Sequence, residues 1–430
     1  MRSRTCATSC SALLGVAAAL ALAGCTGVDA EGNDLDSLPV LTAREDARIG
    51  DFDDPGLGFS RVYQVEIDRD SNLYVLEGSI PEIRVFSPEG ALRRRIGRRG
   101  GGPGEFQSAR FGLLGDTLWT VDSRLNRITL FDRLGTVLST GTIERAAVAL
   151  PSGFGYLLPR VMRPDGRFMG HLGMVAFSRD EPTGVKPTDS IPVPLVLFAA
   201  SGEVIDTVGW APRPPPRMWR PPAEEETKIE YVNVGDRRFL VPTAPITMPE
   251  WLPVGDGYIT VETPLAETAE EGTVRVTRFG LAGDTVYRRE LRYSPLRYAD
   301  AALDSIAARA ARGAAGGMLP FAMEGGSAPP PPENPEAVAR ALRGAMSFPD
   351  FQLPIQSSWL AQDESVWMRR PDDNTPRARW ILLDPQGEPR GQLELPSDLR
   401  ILWNVGDTFW AVDLDEYDVP WVVRYRITEG

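Results

Sequence analysis

The chain has 430 residues, with 46 Lys and Arg against 59 Asp and Glu, for a formal net charge of −13. This acidic balance argues against a general nucleic-acid binder and against charge-driven docking on an anionic membrane face, since both need a basic surface. The only cysteines are Cys6, Cys10 and Cys25, so residues 26–430 hold no disulfide scaffold, thiol nucleophile or zinc–thiolate site.

The N-terminus has a basic start, an apolar stretch from Ala12 to Leu22, and then Leu22-Ala23-Gly24-Cys25. The apolar part is too short to span a bilayer and reads as a secretory signal. Its LAGC ending resembles the bacterial lipobox, which implies that Cys25 becomes a lipid-bearing N-terminus. Several acyl chains would give stable anchoring where one gives marginal binding. Removal of residues 1–25, which hold Arg2, Arg4 and no acid, leaves a charge of −15. Thr26 follows the cysteine in place of Asp, which by resemblance to Gram-negative lipoproteins favours the outer membrane. The acidic, polar residues 26–40 read as a flexible tether.

From Arg61 to Phe106 the chain reads as four short strands separated by Asx, Gly and Pro turns. A lone meander cannot cover both of its faces, so the pattern should recur. Its second strand does recur, as LYVLE (73–77), LWTVD (118–122), RFMGH (167–171), YITVE (258–262), VWMRR (366–370) and FWAVD (409–413). The third strand and its turn recur as ITLFDRLG, LVLFAASG, VTRFGLAG and WILLDPQG. The units fall at 61–97, 108–143, 154–209, 249–291, 357–396 and 400–430. The last lacks a fourth strand within the sequence, and residues 41–50 are expected to supply it, because an open sheet edge invites wrong pairing. The expected fold is all-β, a six-bladed β-propeller over residues 41–430 with an N-terminal strand closing the last blade.

The IGRRGGGPGEF loop and the run LWNVGDTFWAVDLDEYDVPWVVRYRI resemble NHL-type six-bladed propellers of bacteria, most of all envelope lipoproteins of that shape. The resemblance implies a cell-envelope location and specifies no activity, because propellers host many functions.

Two segments interrupt the repeat, at 211–248 and 298–349. The first opens on a proline run expected to be extended, with an extra strand at Arg238 to Val241. The second carries two helices, one with Leu303, Ile306, Ala307 and Ala310 on a face and one capped by Asn334-Pro335. Their apolar faces are expected to pack on the propeller, or to cover one mouth of its channel.

Candidate chemistry is sparse. His171 is the only histidine, which rules out a multi-histidine metal site. Asp68-Arg69-Asp70-Ser71-Asn72 begins like a calcium loop but has Leu73 where glycine is required, so a turn role is the better reading. Ligand-binding candidates are Arg98, Arg99 and Glu105 around the glycine loop, and Asp415, Glu416 and Asp418 in the last unit. Arg369 and Arg370 stand at the matching strand end in the preceding unit and could pair with those acids, although a solvated acidic loop is the better reading of 413–418. Gly100 to Phe106 lacks the Gly-Lys-Ser/Thr ending of a phosphate loop and precedes a strand. A weaker option is a sugar- or peptide-binding surface using Trp119, Trp359, Trp367, Trp403 and Trp410, although core packing accounts for them more simply. The resulting expectation is a binding or scaffolding module for a protein, peptide or glycan, with no catalytic residue, no resident cofactor and no nucleic-acid partner. The alternative is a calcium-dependent hydrolase, lactonase or lyase with a metal at the channel mouth.

Overall fold

A computed structural model of the protein describes residues 34–51, 54, 56–78, 80–144, 147–150, 153–177, 191–213, 217–218, 231–247, 250–313, 332–371 and 376–429. The chain enters through β1 (Val40–Ile49). A first four-stranded sheet follows, β2 (Val62–Ile67), β3 (Leu73–Glu77), β4 (Glu82–Phe86) and β5 (Leu92–Ile96). A second has β6 (Ala109–Leu114), β7 (Thr117–Asp122), β8 (Arg127–Asp132) and β9 (Val137–Thr142). The third has five strands, β10 (Ala147–Leu150), β11 (Gly153–Met162), β12 (Phe168–Phe177), β13 (Ile191–Phe198) and β14 (Val204–Arg213). Two small antiparallel pairs come next. β15 (Arg217–Met218) pairs with β18 (Pro245–Thr247), and between them lies the hairpin β16 (Tyr231–Val234) and β17 (Arg237–Leu240). A fourth sheet is β19 (Glu250–Val254), β20 (Gly257–Glu262), β21 (Gly272–Gly280) and β22 (Thr285–Tyr293).

Helices α1 (Asp300–Gly313) and α2 (Pro335–Ala345) precede the last strands, β23 (Ser357–Leu360), β24 (Val366–Arg369), β25 (Arg377–Leu383), β26 (Pro389–Pro396), β27 (Arg400–Val405), β28 (Thr408–Leu414) and β29 (Pro420–Glu429). These join β1 in one eight-stranded sheet, in the order β23-β24-β25-β26-β1-β29-β28-β27. The protein is thus mostly β, a propeller-like ring of sheets with a small helical addition. Among the described residues no helix is long and apolar enough to cross a membrane.

The turns are fixed by short side chains. Asp68 accepts from the backbone N–H groups of Asp70 and Asn72 at 2.9 Å each. Asp132 does the same for Leu134 and Thr136, Asp384 for Gln386 and Glu388, and Asp415 for Tyr417 and Val419. One carboxylate thereby ties both ends of each turn, which is why Asp recurs there. After the third strands the recurring Gly90, Gly135, Gly202, Gly283 and Gly387 hold φ between 78° and 92°, where a Cβ would clash.

Apolar side chains fill the space between neighbouring sheets. Ile83, Val85, Phe106, Phe111 and Phe131 join the first and second. Trp119, Ile128, Phe168 and Phe198 join the second and third, and Met169, Leu195 and Tyr258 the third and fourth. Ile259, Val276, Val366 and Ile381 link the fourth to the β23–β26 strands, and Trp367, Leu382 and Phe409 link these to β28. Ile49, Val62, Phe86 and Trp410 complete the circuit to the first sheet.

β1 runs antiparallel to β29 from Leu41↔Glu429 to Ile49↔Val422, with Arg48 opposite Val423. It also meets β26 in parallel at Val40↔Gln392 and Leu41↔Leu393. The packed chain starts earlier than the expected tether boundary at residue 40. Leu35 and Leu38 are buried, Leu35 donates its N–H to Arg292 O at 2.8 Å, and Gln392 donates to Leu38 O at 2.9 Å. Residues 34–49 therefore lie across β22, β26 and β29 in turn.

The two insertions correct the expectation of helices lying on the propeller. Val338 and Leu342 of α2 and Ala307 and Ala311 of α1 bury themselves against Phe239 and Val241, beside β16 and β17. The two interruptions form one small body, because neither hairpin nor helix pair can cover its apolar face alone. β14 also reaches Arg213, two residues beyond the expected start of the first insertion.

Candidate functional site

The pairing register aligns the six copies of the second strand, and its last residue proves to be a fastener. Glu77 accepts from Ser60 N at 3.2 Å, Ser60 Oγ at 2.9 Å and Arg61 N at 2.9 Å. Asp122 accepts from the N–H groups of Gln107, Ser108, Arg124 and Leu125. Each carboxylate pins the connection entering its own sheet by gathering that connection's N–H donors on one buried acceptor. Asp413, in the corresponding place, takes Arg48 Nη2 at 2.6 Å. His171 stands there in the third sheet, with Nδ1 2.9 Å from Leu172 O and its ring edge-on to Trp251. The carbonyl can only accept, so Nδ1 carries the proton.

Arg370, directly after β24, is the counterpart there, and it does not meet the acids of 413–418. Its Nη1 donates to Asp36 Oδ1 at 2.9 Å, and its guanidinium lies 5.6 Å from the Tyr293 ring centre. Burial pushes the Asp36 carboxyl up, but the Ser294 N–H and Arg370 outweigh it and hold it below the usual range. Arg370 thus clamps the N-terminal segment rather than pairing with the acids of 413–418. Arg369 stands opposite Ser357 and Trp380 in the sheet. Asp415 is the turn tie described above and also accepts from Trp421 Nε1 at 3.1 Å. The Val419 N–H, with Trp421, Tyr417 and Arg48, keeps it acidic. Glu416 and Asp418 are exposed on that turn, Asp418 at φ 60°.

In the glycine loop, Arg98 Nε donates to Glu105 Oε1 at 2.7 Å and Gly102 N to Glu105 Oε2 at 2.7 Å. The Gly102 N–H and Arg98 keep Glu105 acidic. Arg99 bridges to Phe106, a buried plug between the first two sheets. Arg98, Arg99 and Glu105 therefore shape one connection between the first two sheets. Cys25 lies outside the described residues. Trp119, Trp367 and Trp410 are core residues, and only Trp359 and Trp403 of the five tryptophans are half-buried.

The group that converges lies along the axis. Inner strands β27, β2, β6 and β11 touch in sequence, as do β19 and β23. At the end of these strands near the β2–β3 turn, Glu66 is buried. Gln64 Nε2 donates to its Oε1 at 3.0 Å, and Gln362 Nε2 reaches both oxygens at 3.3 Å from beyond β23. Gln64 also exchanges bonds with Phe111 O and N on β6, at 2.6 and 3.2 Å. Gln362 N donates to Asn404 O at 3.2 Å, and Asn404 Oδ1 accepts from Trp359 Nε1 at 2.7 Å. A polar chain thus crosses β23, β27, β2 and β6. Glu66 has amide partners but no cation, and burial pushes its carboxyl up to about 8 even though Gln64 and Gln362 favour the ionised form. Among the described residues, the buried Asn404 Nδ2 has no partner.

Sequence reasoning missed Glu66 because its neighbours in VYQVEID gave no sign of burial. The register supplies the signal. The corresponding inner-strand positions are Gly112, Met162, Leu252, Trp359 and Trp403, so Glu66 is the one ionisable group in that layer.

At the other end of the inner strands, where connections enter, Glu250 Oε2 accepts from Ser358 N at 2.6 Å and burial raises its pKa. Arg400 donates to Val62 O, while burial and then Arg61 lower its pKa. Two open grooves lie away from the axis. One of about 550 Å³ is lined by Asp34, Glu271, Arg292 and Ser294, and one of about 640 Å³ by Arg44, Asp46 and Arg426. Among the described residues no group of three or more His, Cys, Asp or Glu is placed to hold a metal ion.

No family model matches the chain, and no curated protein matches it. Solved structures similar to it include a member of the DUF4221 family from Bacteroides vulgatus, at 10% identity over 93% of this chain and 100% of that one, TM-score 0.44. The PQQ-bound aldose sugar dehydrogenase of Streptomyces coelicolor matches at 12% identity over 90% and 98%, TM-score 0.37. Virginiamycin B lyase from Staphylococcus aureus matches at 9% over 90% and 99%, TM-score 0.31. At these scores none of them bears on what this chain binds.

Proposed function

We propose that the protein is a lipid-anchored, NHL-like β-propeller of the cell envelope that binds a protein, peptide or glycan ligand at the Glu66 end of its axis. Six blades is the count we favour. The eight-stranded sheet reads as two blades, β23–β26 and β27–β28–β29–β1, joined only where β1 touches β26. The layer of Trp367, Leu382 and Phe409 between those halves supports this division, since it matches the layers separating the other sheets.

Anchoring rests on the LAGC sequence and on geometry: Asp34 is already fixed nine residues after Cys25. Nine extended residues reach about 30 Å at most, so the ring would ride close to an outer-membrane surface, facing the periplasm or the exterior. A Cys25→Ser variant should move from the membrane to the soluble fraction. Retention of that variant in membranes would exclude the anchor.

The observation that carries the binding reading is Glu66 itself. A buried carboxyl without a cation, beside an unpaired amide N–H, is destabilising and is kept where a ligand exploits it. Thermal-shift titration with envelope glycan fragments and short peptides at pH 6 and pH 9 provides the test. A ligand of this site should bind with different affinity at the two pH values, and Glu66→Gln should abolish that difference. Ligand binding that ignores both pH and Glu66→Gln would place the site elsewhere. No observation favours the calcium-dependent hydrolase over this reading.

A further inference from the structure

At the connection-side mouth, the register brings six side chains to one level of the inner strands. They are Gln64, Arg110, Pro159, Glu250, Ser357 and Arg400, opposite Leu76, Val121, Gly170, Val261, Arg369 and Val412. Three of them are latches onto the backbone of the next inner strand round. Gln64 clasps Phe111, Glu250 takes Ser358 N, and Arg400 donates to Val62 O. Arg110 should latch onto β11 in the same way. Among the described residues it makes no hydrogen bond or ion pair with anything.

Its surroundings add no acid. Arg110 keeps an exposed surface, yet surrounding protein alone lowers its pKa, with no carboxylate acting on it. Arg400 holds this level on β27, and Arg61 lies just before β2, near enough to Arg400 to help lower its pKa, with Tyr63, 52% exposed, acting on Arg400 as well. Arg61 Nη1 donates to Tyr63 OH at 3.4 Å, and its guanidinium sits 5.8 Å from that ring centre. On a chain with a net charge of −13, Arg400 on β27, Arg110 on β6 and Arg61 just before β2, with no partner for the Arg110 side chain among the described residues, are not a by-product of composition.

We propose that this mouth binds an oxyanion, a carboxylate or phosphate group on a small ligand, with Arg110 as its principal contact and Arg400 and Arg61 adding charge. A guanidinium presents paired N–H donors that match such a group in bidentate fashion. The inference does not rest on Glu66: Gln64 bonds to both Glu66 and Phe111, the neighbour of Arg110, and the Arg110 and Glu66 variants test the two readings separately.

The test is calorimetric and thermal-shift titration of the full-length protein in detergent micelles with inorganic phosphate, and separately with acetate, against sodium chloride of equal ionic strength. Saturable binding of either oxyanion, beyond the chloride control, is expected. Arg110→Ala should weaken it roughly tenfold or more, the loss of a charge-assisted bond, whereas Arg44→Ala, an equal charge loss on the exposed β1 strand, should leave it unchanged. Without ligand, Arg110→Ala should lower Tm little, since its side chain has no hydrogen bond or ion pair to lose among the described residues. Absence of saturable binding with both anions, its survival in Arg110→Ala, an equal loss in Arg44→Ala, or a clear drop in the ligand-free Tm of Arg110→Ala would each overturn the proposal.

Discussion

Glu66 and Glu77 are two buried carboxyls of the same strand pair region with opposite logic. Glu77 is met by three donors of the entering connection. Glu77→Ala should therefore cost about 2 kcal/mol in urea unfolding, because three hydrogen bonds to a charged group are lost together. A cost near zero would mean that the connection is held by something else. Glu66, in contrast, is opposed by its surroundings. Its folded pKa of about 8 stands above the ordinary 4.5, so the folded state keeps a proton that the unfolded chain releases. Stability is then greatest below the unfolded value and declines as pH rises from about 4.5 to about 8. Unfolding measured at pH 5 and pH 9 should show a Glu66-dependent loss on the order of a few kcal/mol, and Glu66→Gln should remove that part. Identical pH dependence in both proteins would contradict the assignment. The acid that ends four of the six repeated second strands was plain in the sequence, but its task was not. Which N–H groups face it depends on connections of different length folding back to the same spot.

Among the elements, local signals were legible and long-range partners were not. Asn334 caps α2 by accepting from Ala337 N at 2.9 Å, with Pro335 next to it, as the residue types require. The partner of its apolar face is a hairpin roughly a hundred residues earlier, and no local pattern encodes that choice. Arg370 shows the same limit, since its partner Asp36 lies far away in the chain and within a stretch whose polar composition reads as a tether. Because Leu342 sits in a core separate from the ring, Leu342→Ala should cost about 3 kcal/mol locally. Hydrogen exchange should then accelerate over residues 231–247 and 300–345 while the sheets keep their protection. Uniform acceleration throughout the protein would show that the small body and the ring unfold together.

For the whole molecule, the repeat carried the fold because each sheet has the same needs: Asx at one turn, positive-φ glycine at the next, and apolar faces on both sides. Closure was legible through the same repeat, since a unit short of a strand must find it elsewhere. The body's lack of cysteine makes closure directly measurable. Thr42 lies opposite Thr428, with their Oγ1 atoms 2.8 Å apart. In the chain from Thr26 onward, cysteines placed at 42 and 428 would be the only two thiols, at a spacing that antiparallel neighbours offer a disulfide. Mass spectrometry of the oxidised, protease-digested Thr42→Cys/Thr428→Cys protein should find the two terminal peptides joined in essentially every molecule. Free thiols at both positions after oxidation of the folded protein would contradict the closed ring.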